Sequence, residues 1–274
     1  MVDSSDIENF WTRGDIHSRI HKAMSEAGLN DKKLEIEDLF PIDQYHARGI
    51  AATVDLGKRM PIQENQKIID IGCGLGGPAR YFAKQFQCFI TGIDITSSFV
   101  EIGNRFNKLT SMSNSVSLQV GNGETLNFEN ETFDGGYSQH VTMNIKNRKK
   151  FFLEAYRVLK KGTFFAFSEH GLGPERNPIF PLPWADTSEM SFLLSPESTI
   201  SLLKEIGFYD IQIIETSEKY ISGYEKMINT KPEKVEPILG IHVIGGTTMK
   251  QRSINSMKSI KEKRTLPFEI VCKK

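Results

Sequence analysis

The sequence predicts an α/β protein in which helices cover both faces of a mainly parallel sheet. Two observations carry this prediction. From residue 65 onward, short β-type runs alternate with amphipathic helical patterns, which is the order of βαβ units. A glycine-rich loop also joins the first of these runs directly to a helix. In such sheets, ligands bind at the carboxyl ends of the strands.

Seven strands are expected in all. The first five are predicted at 67–71, 88–93, 116–120, 133–137 and 163–167, with helical patterns between them. A sixth strand is predicted at 208–215, after an amphipathic helix at 195–206. The seventh is predicted at 266–272.

Three segments lie outside this sheet pattern. Residues 1–60 are predicted to form an N-terminal helical cap or lid, because apolar residues recur at helical spacing there and end at Gly28. The core is predicted at 61–274. Within it, the proline-rich stretch 171–194 is expected to be a lid segment, and residues 216–263 are expected to be a helical insertion before the last strand.

The composition excludes several classes of protein. The 34 Lys and Arg residues balance 34 Asp and Glu residues, so nothing points to a nucleic-acid partner. No apolar run is long enough for a membrane-spanning helix, and the first residues lack a signal-peptide pattern, so we expect a cytoplasmic monomer or homodimer. The three cysteines are too far apart for a disulfide framework, and no metal site is predicted.

The most informative motif is the stretch DIGCGLGG at 70–77, between a strand and a helix. Its glycines allow a tight turn and let a ligand lie against bare backbone at a helix N-terminus. Gly72, Gly74 and Gly77 also fit the pattern of a dinucleotide site, in which Asp94 would be the ribose-binding acid. The glycines alone therefore leave the identity of the ligand open.

Asp70 helps to distinguish a dinucleotide from a ligand that carries an amino group. A carboxylate beside the loop would repel a pyrophosphate, whereas it suits the ammonium group of S-adenosylmethionine (SAM). Asp94 ends the second strand, where it can accept both ribose hydroxyls; capping of the next helix is the alternative. Asn122 lies in a polar loop after the third strand and can pair with the adenine through its amide, or it can be a simple turn residue.

The predicted cofactor-binding residues share the carboxyl edge of the first four strands. They are Asp70, Gly72, Cys73, Gly74, Gly76, Asp94, Ile95, Asn122, Gly123, Glu124 and Gln139.

These residues resemble the class I SAM-dependent methyltransferases, with 70–77 as their motif I and Asp94 as their ribose-binding acid. The chain is also similar to bacterial small-molecule methyltransferases related to sarcosine/dimethylglycine N-methyltransferases. Segments 43–46, 74–80, 138–145, 181–185 and 240–242 carry this likeness. The resemblance implies a Rossmann-like seven-stranded sheet, SAM as the cofactor, S-adenosylhomocysteine as the product, and a small-molecule substrate.

Three residues are predicted to act in catalysis: His140, Tyr45 and His46. Methyl transfer is an in-line displacement, so the protein must align the nucleophile and exclude water. An amine acceptor must lose its proton, and His140 follows the fourth strand, where it can take that proton. Alternatively, His140 and Gln139 only position the methionine end of SAM. Tyr45 and His46 are expected to close the site, with packing or helix capping as the alternative.

Substrate contacts are predicted for Asn144, Trp184 and His242, with His170 as a further candidate. Trp184 could face a methylated ammonium through a cation–π contact or serve as a packing anchor. The leading hypothesis is methyl transfer from SAM to an amine such as a glycine derivative. The alternatives are a C- or O-methyltransferase for a quinone, terpenoid or phenolic compound, a catalytically inactive SAM-binding regulatory module, and a dehydrogenase.

Overall fold

The computed structural model describes residues 4–12, 14–30, 32–228 and 237–274. Within them lies a seven-stranded sheet in the order β3-β2-β1-β4-β5-β7-β6. All neighbouring strands are parallel except that β7 runs antiparallel to both β5 and β6. The strands are β1 (Lys67–Ile71), β2 (Phe89–Asp94), β3 (Val116–Val120), β4 (Phe133–Gln139), β5 (Leu159–Leu172), β6 (Tyr209–Glu215) and β7 (Thr265–Lys273). The predicted seven-stranded fold is confirmed.

Helices flank the sheet on both faces. They are α1 (Ser4–Trp11), α2 (Ile16–Glu26), α3 (Phe40–Asp43), α4 (Ile50–Gly57), α5 (Gly77–Phe86), α6 (Ser97–Leu109), α7 (Arg148–Val158), α8 (Pro196–Ile206), α9 (Ser217–Ile228), α10 (Ile241–Gly245) and α11 (Met249–Lys261). Local chemistry sets several of their ends. The hydroxyl of Ser195 accepts the Ser198 N–H at the start of α8, and Gly207 ends that helix at φ 117°.

Two apolar layers hold the sheet between its helices. On one face, Phe151 and Phe152 of α7 pack against the sheet together with Phe165 of β5. On the other face, Phe82 of α5 packs against Tyr137 of β4 with ring centroids 5.0 Å apart. No helix in the described ranges is both long and apolar enough to cross a membrane.

The N-terminal cap and the helical insertion pack against each other. Ile16 and Ile20 of α2 share an apolar cluster with Val243 of α10, and Arg19 donates a hydrogen bond to the Ile244 carbonyl at 3.1 Å. The insertion contains α9, α10 and α11, while its residues 229–236 lie outside the described residues, as do 1–3, 13 and 31 of the cap. The two predicted segments therefore meet above the sheet edge.

A buried ion pair fixes the cap to the glycine loop. Arg80 of α5 donates to the Asp43 carboxylate at 2.9 Å and to the Leu75 carbonyl at 2.6 Å, and both charged side chains are buried. A side chain on Gly77 would collide with the Asp43 backbone at 2.3 Å, so glycine is required for this close approach.

Candidate active site

A single large cavity of about 1200 Å³ opens at the carboxyl ends of β1, β2, β4 and β5. Asp70, Asp94, Gln139 and His170 bring these four strand ends to its wall. The loops after β1 to β4, the start of α7, the cap, the lid segment and the insertion supply the remaining wall. Its volume exceeds the roughly 300–1,000 Å³ of a pocket for one drug-sized ligand. The space is sufficient for a nucleoside cofactor together with a small second molecule.

The glycine loop is fixed to β2 by backbone hydrogen bonds. The N–H groups of Gly72 and Cys73 donate to the Ile93 carbonyl at 2.7 and 3.0 Å. Gly72 has φ 87°, and a side chain there would meet Val141 at 2.2 Å. Gly74 has φ 51°, with open space where a side chain would begin. The loop thus presents bare backbone to the cavity.

Asp94 connects this loop to the next helix. Its carboxylate accepts the Gly74 N–H at 2.8 Å and the Thr96 N–H at 2.9 Å. Each carboxylate oxygen retains a further lone pair for a hydroxyl donor. Asp94 lines the cavity and also holds the turn before α6, so the ribose contact and the turn role are compatible.

Asp70 is a buried carboxylate on the cavity wall. The Tyr137 hydroxyl donates to it at 2.8 Å. Burial raises the pKa of Asp70 to about 8, a rise that the Tyr137 hydrogen bond opposes and the nearby Asp94 charge reinforces. A cationic ligand group beside Asp70 would stabilise its ionised form.

The loop after β3 has the structure of an Asx turn. The Asn122 side-chain oxygen accepts the Glu124 N–H at 2.8 Å, which is the turn role that the sequence left open for Asn122. A side chain on Gly123 would meet the Phe151 ring at 2.8 Å. Asn122, Gly123 and Glu124 all line the cavity, and the adenine contact of Asn122 stays a prediction.

The structure places almost all of the predicted cofactor residues in the cavity wall. Gly76 is the exception among them: it has φ 75° at the start of α5, and a side chain there would meet Leu118 at 2.8 Å. Its role is therefore in loop packing. Among the predicted substrate contacts, His242 at the start of α10 is likewise not brought to the cavity wall, whereas Asn144 and Trp184 are.

Three histidines form a cluster on the side of the cavity away from Asp94. The rings of His46 and His140 are stacked, with centroids 5.7 Å apart, and His170 lies 5.5 Å from His140. His170 in turn stacks on Trp184 at 4.7 Å. Chain segments far apart in sequence thereby form one aromatic surface.

Burial keeps these imidazoles neutral. It lowers the pKa of His46 to about 4 and that of His170 to about 3. Burial also holds the pKa of His140 well below its usual range, helped by His170, His46 and Arg48 nearby. The Tyr220 hydroxyl of α9 lies 2.6 Å from Nε2 of His140, and burial raises the Tyr220 pKa, so this hydroxyl stays protonated.

Thr53 of α4 joins the cap to the end of β4. Its buried hydroxyl donates to Gln44 Oε1 at 2.6 Å and lies 3.0 Å from Nε2 of His46 and 3.3 Å from Gln139 Oε1. Nδ1 of His46 lies 3.5 Å from the Ala47 carbonyl oxygen, which can only accept a hydrogen bond. Through Gln44 and His46, Thr53 thus connects the cap to Gln139 at the end of β4.

Asn144 and Tyr45 line the cavity but also hold other elements in place. The Asn144 amide donates to the carbonyls of Trp184 at 2.8 Å and Met190 at 3.2 Å, so it fixes the lid segment. The Tyr45 hydroxyl donates to the Met249 sulfur at 3.2 Å, and its ring meets Trp11 edge-on. Packing, the alternative that the sequence left open for Tyr45, accounts for these contacts.

Sequence reasoning missed several residues of this site. Thr53, Tyr220 and Tyr224 lie within helices and carry no motif. Tyr224 lines the cavity, while the other two contact the histidine cluster. Among the described residues, no group of three His, Cys, Asp or Glu side chains could hold a metal ion.

Comparison with known proteins identifies the class. Residues 69–167 match a family model described as a methyltransferase domain. Sterol 24-C-methyltransferase from Debaryomyces hansenii is 32% identical over 114 residues, which is 42% of this chain and 30% of that protein. Phosphoethanolamine N-methyltransferase 1 from Arabidopsis thaliana is 22% identical over 75% of this chain and 41% of its own length. The chain thus spans less than half of these two relatives.

A third relative, (+)-O-methylkolavelool synthase from Herpetosiphon aurantiacus, is 25% identical over 76% of this chain and 69% of its own length. Among solved structures, Haemonchus contortus phosphoethanolamine N-methyltransferase 2 matches with a TM-score of 0.74 and 17% identity, over 100% of this chain and 61% of that one. A putative sarcosine dimethylglycine methyltransferase from Galdieria sulphuraria matches with a TM-score of 0.66 and 19% identity, over 82% of this chain and 80% of that one.

These findings confirm the predicted resemblance. Residues 69–167 match a methyltransferase domain, and the described residues share the fold of the solved methyltransferases named above.

Proposed function

We propose that the protein transfers a methyl group from SAM to a small-molecule acceptor. One observation carries this proposal: a single cavity joins the glycine loop, Asp70 and Asp94 to a cluster of neutral histidines. The first group suits a cofactor with an ammonium and a ribose, and the second suits a nucleophile that must lose a proton.

The residues of the cavity fit SAM, which would supply an electrophilic methyl group on sulfur. Asp70 would hold the ammonium group and Asp94 the ribose hydroxyls. Nε2 of Gln139 is buried and without a hydrogen-bond partner, so it is a donor suited to the cofactor's carboxylate. The open backbone at Gly74 leaves room for the ligand.

The acceptor we propose from the sequence is an amine. His140 would take the proton that the amine loses, because burial keeps its imidazole neutral. The likeness to phosphoethanolamine N-methyltransferase 1 supports an amine. A second candidate is an alcohol or phenol, since (+)-O-methylkolavelool synthase matches over 76% of this chain.

Calorimetry and label transfer test this function together. We expect S-adenosylhomocysteine (SAH) to bind with one-to-one stoichiometry and NAD not to compete with it. A screen with SAM labelled on its methyl group should then detect transfer to at least one amine, alcohol or phenol. Binding of SAH with no transfer in the screen would favour the regulatory module, and binding of NAD instead would favour the dehydrogenase.

Asp70 offers a second test of the cofactor assignment. With a pKa of about 8, this carboxyl is mostly protonated in the free protein at pH 7. A bound ammonium would favour the carboxylate, so SAH binding should release close to one proton. Calorimetry in two buffers of different ionisation enthalpy measures this release. Equal enthalpies in both buffers would contradict the role of Asp70, and Asp70→Asn should abolish the difference.

We also propose that residues 1–60, the segment 171–194 and the insertion 216–263 together close the acceptor pocket. Tyr45, Trp184 and Tyr224 are side chains of these segments in the cavity wall. From the sequence, we further propose a cytoplasmic monomer or homodimer. Size-exclusion chromatography with light scattering distinguishes these two states.

A further inference from the structure

The acceptor end of the cavity has a wall of one chemical character. We define this acceptor wall as His46, His140, His170, Trp184 and Tyr224, which all line the cavity. The residues that suit the cofactor lie at the ends of β1 and β2, so a methyl acceptor has to lie against the acceptor wall. The inference below rests on the methyltransferase function proposed above.

The acceptor wall is aromatic and uncharged. His170 lies between His140 and Trp184, with ring centroids 5.5 and 4.7 Å away; its ring is tilted relative to His140 and stacked on Trp184. Tyr224 and Trp184 are buried. The imidazoles are enclosed by other rings, and no carboxylate in the described residues is bonded to them. They are therefore neutral hydrogen-bonding groups.

The nearest guanidinium groups already have carboxylate partners. Arg148 lines the cavity, but it donates to the buried Glu169 at 2.6 Å and to the Phe192 carbonyl at 3.1 Å. Arg48 lies over the Tyr220 ring and pairs with Asp55 at 2.5 Å. Arg148 is thus neutralised by its own carboxylate. Arg48 shares Asp55 with Lys58 and Lys219, but it is not among the residues that line the cavity.

The lysines and acids that line the cavity also provide no buried positive charge for an anion at the acceptor wall. Lys146 and Lys149 are exposed, and Lys149 pairs with Glu205 at 2.5 Å. The carboxylates of the wall are Asp43, Asp70, Asp94 and Glu124. Asp43 is paired with Arg80, and Asp70 is mostly protonated in the free protein. None of the four acids supplies the positive charge that an anionic acceptor would need.

We propose that the acceptor carries no carboxylate or phosphate: it is an alcohol, a phenol, or an amine whose only charge is its ammonium. An anion against the acceptor wall would be buried without a counter-charge, which is strongly unfavourable. An ammonium, in contrast, is attracted by the faces of aromatic rings. The proposal narrows the amine candidate, because it excludes glycine derivatives.

Two pairs of matched compounds test this. N-methylethanolamine and sarcosine share a secondary amine but differ in a carboxylate, and catechol and 3,4-dihydroxybenzoate form a second such pair. The protein has two tryptophans, Trp11 and Trp184, and both line the cavity, so their indole N–H resonances report on its contents. Trp11→Phe assigns the Trp184 resonance. Each compound is titrated against the full chain saturated with SAH.

We expect the member of each pair without a carboxylate to shift the Trp184 resonance with at least tenfold higher affinity. Equal or tighter binding of the carboxylated member would overturn the proposal, as would the absence of any shift with both uncarboxylated members. Failure of the methyltransferase function itself is visible separately, because either SAH would not bind or the label-transfer screen would detect no methylated product.

The introduction of a positive charge adds a gain-of-binding test. His170→Arg places a cation in the acceptor wall and should shift the preference at least tenfold toward the carboxylated compounds. His170→Gln is the matched neutral control and should retain the preference of the parent protein. Thermal melting identifies a variant that does not fold, and the titrations of the parent chain then decide the question.

Discussion

The two ends of the cavity are built in different ways. The cofactor end consists mainly of short loops after β1, β2 and β3, so its residues other than Gln139 lie between Asp70 and Glu124. The acceptor end combines His46 from the cap, His140 and His170 from two strand ends, Trp184 from the lid segment and Tyr224 from α9. One end is thus local in sequence, and the other depends on the packing of the whole chain.

This difference has a physical origin. At the cofactor end, the backbone itself makes the site, and Gly72 and Gly74 have positive φ. Asp94 accepts hydrogen bonds from two backbone N–H groups, those of Gly74 in the glycine loop and of Thr96 two residues further along the chain. At the acceptor end, side chains make the site, and they come from the cap, two strand ends, the lid segment and α9. We therefore expect substitutions to separate the functions of the two ends.

The largest expected effect is at His140. Its loss should lower turnover by about 10²- to 10⁴-fold, as for a removed general base, with SAH affinity nearly unchanged. His140 has φ 56°, a conformation that Asn tolerates better than Ala, so His140→Asn tests the side chain without backbone strain. Single-turnover label transfer and SAH calorimetry measure the two quantities.

A control at an exposed histidine supports this reading. His21→Ala on α2 should leave both turnover and SAH affinity at parent values. If His140→Asn instead lost SAH binding while single-turnover transfer stayed at the parent rate, His140 would belong to the cofactor end.

Asp94→Ala should have the next largest effect, on the other end of the cavity. Two hydrogen bonds to a charged acceptor contribute about 1.5–3 kcal/mol each, so SAH affinity should fall at least tenfold. Calorimetry measures this change. The exposed Asp210, which pairs with Lys273 at 2.7 Å, gives the control Asp210→Ala. Unchanged SAH affinity in Asp94→Ala would refute the ribose contact.

The sequence was sufficient to predict the sheet, because each strand and helix carries its own periodicity. It also predicted which side chains the cofactor end brings together, since strand ends and glycine spacing are local signals. Asn122 shows the limit of such signals: its amide oxygen is used in a turn, which no motif distinguishes from a ligand contact.

The acceptor end was predicted only in part. The rule that ligands gather at strand ends points to His140, and it applies equally to His170 at the end of β5. Tyr220 reaches His140 across 80 positions in sequence, and nothing in the helical pattern of α9 identifies its partner. His242 lies in a motif-like stretch but is not brought to the cavity, because α10 packs against α2 there.

Thr53 should give an intermediate effect, because it connects the two ends. Thr53→Val keeps the shape but removes the hydroxyl shared by Gln44, His46 and Gln139. The loss of a net contribution of about 0.5–1.5 kcal/mol should lower kcat/KM for SAM by about two- to tenfold. Steady-state kinetics test this. Thr53→Ser should restore the parent value; if Ser and Val were equally impaired, the methyl group would be the important feature.

The smallest effect is on stability, and it separates the buried histidines from the exposed ones. His170 has a pKa of about 3 in the folded protein and about 6.5 when unfolded, so the unfolded chain binds more protons between these values. Stability is therefore fully present above pH 6.5 and falls as the pH drops, by up to about 1.4 kcal/mol per pH unit. The raised pKa of Asp70 acts in the opposite direction, so comparison with a variant is needed.

His170→Phe keeps the stack on Trp184 and should flatten the dependence of urea-unfolding free energy on pH between 5 and 6.5. The exposed control His21→Gln should leave that slope unchanged. Equal slopes for His170→Phe and the parent would mean that His170 is already charged in the folded protein, and the neutral acceptor wall would lose one of its members.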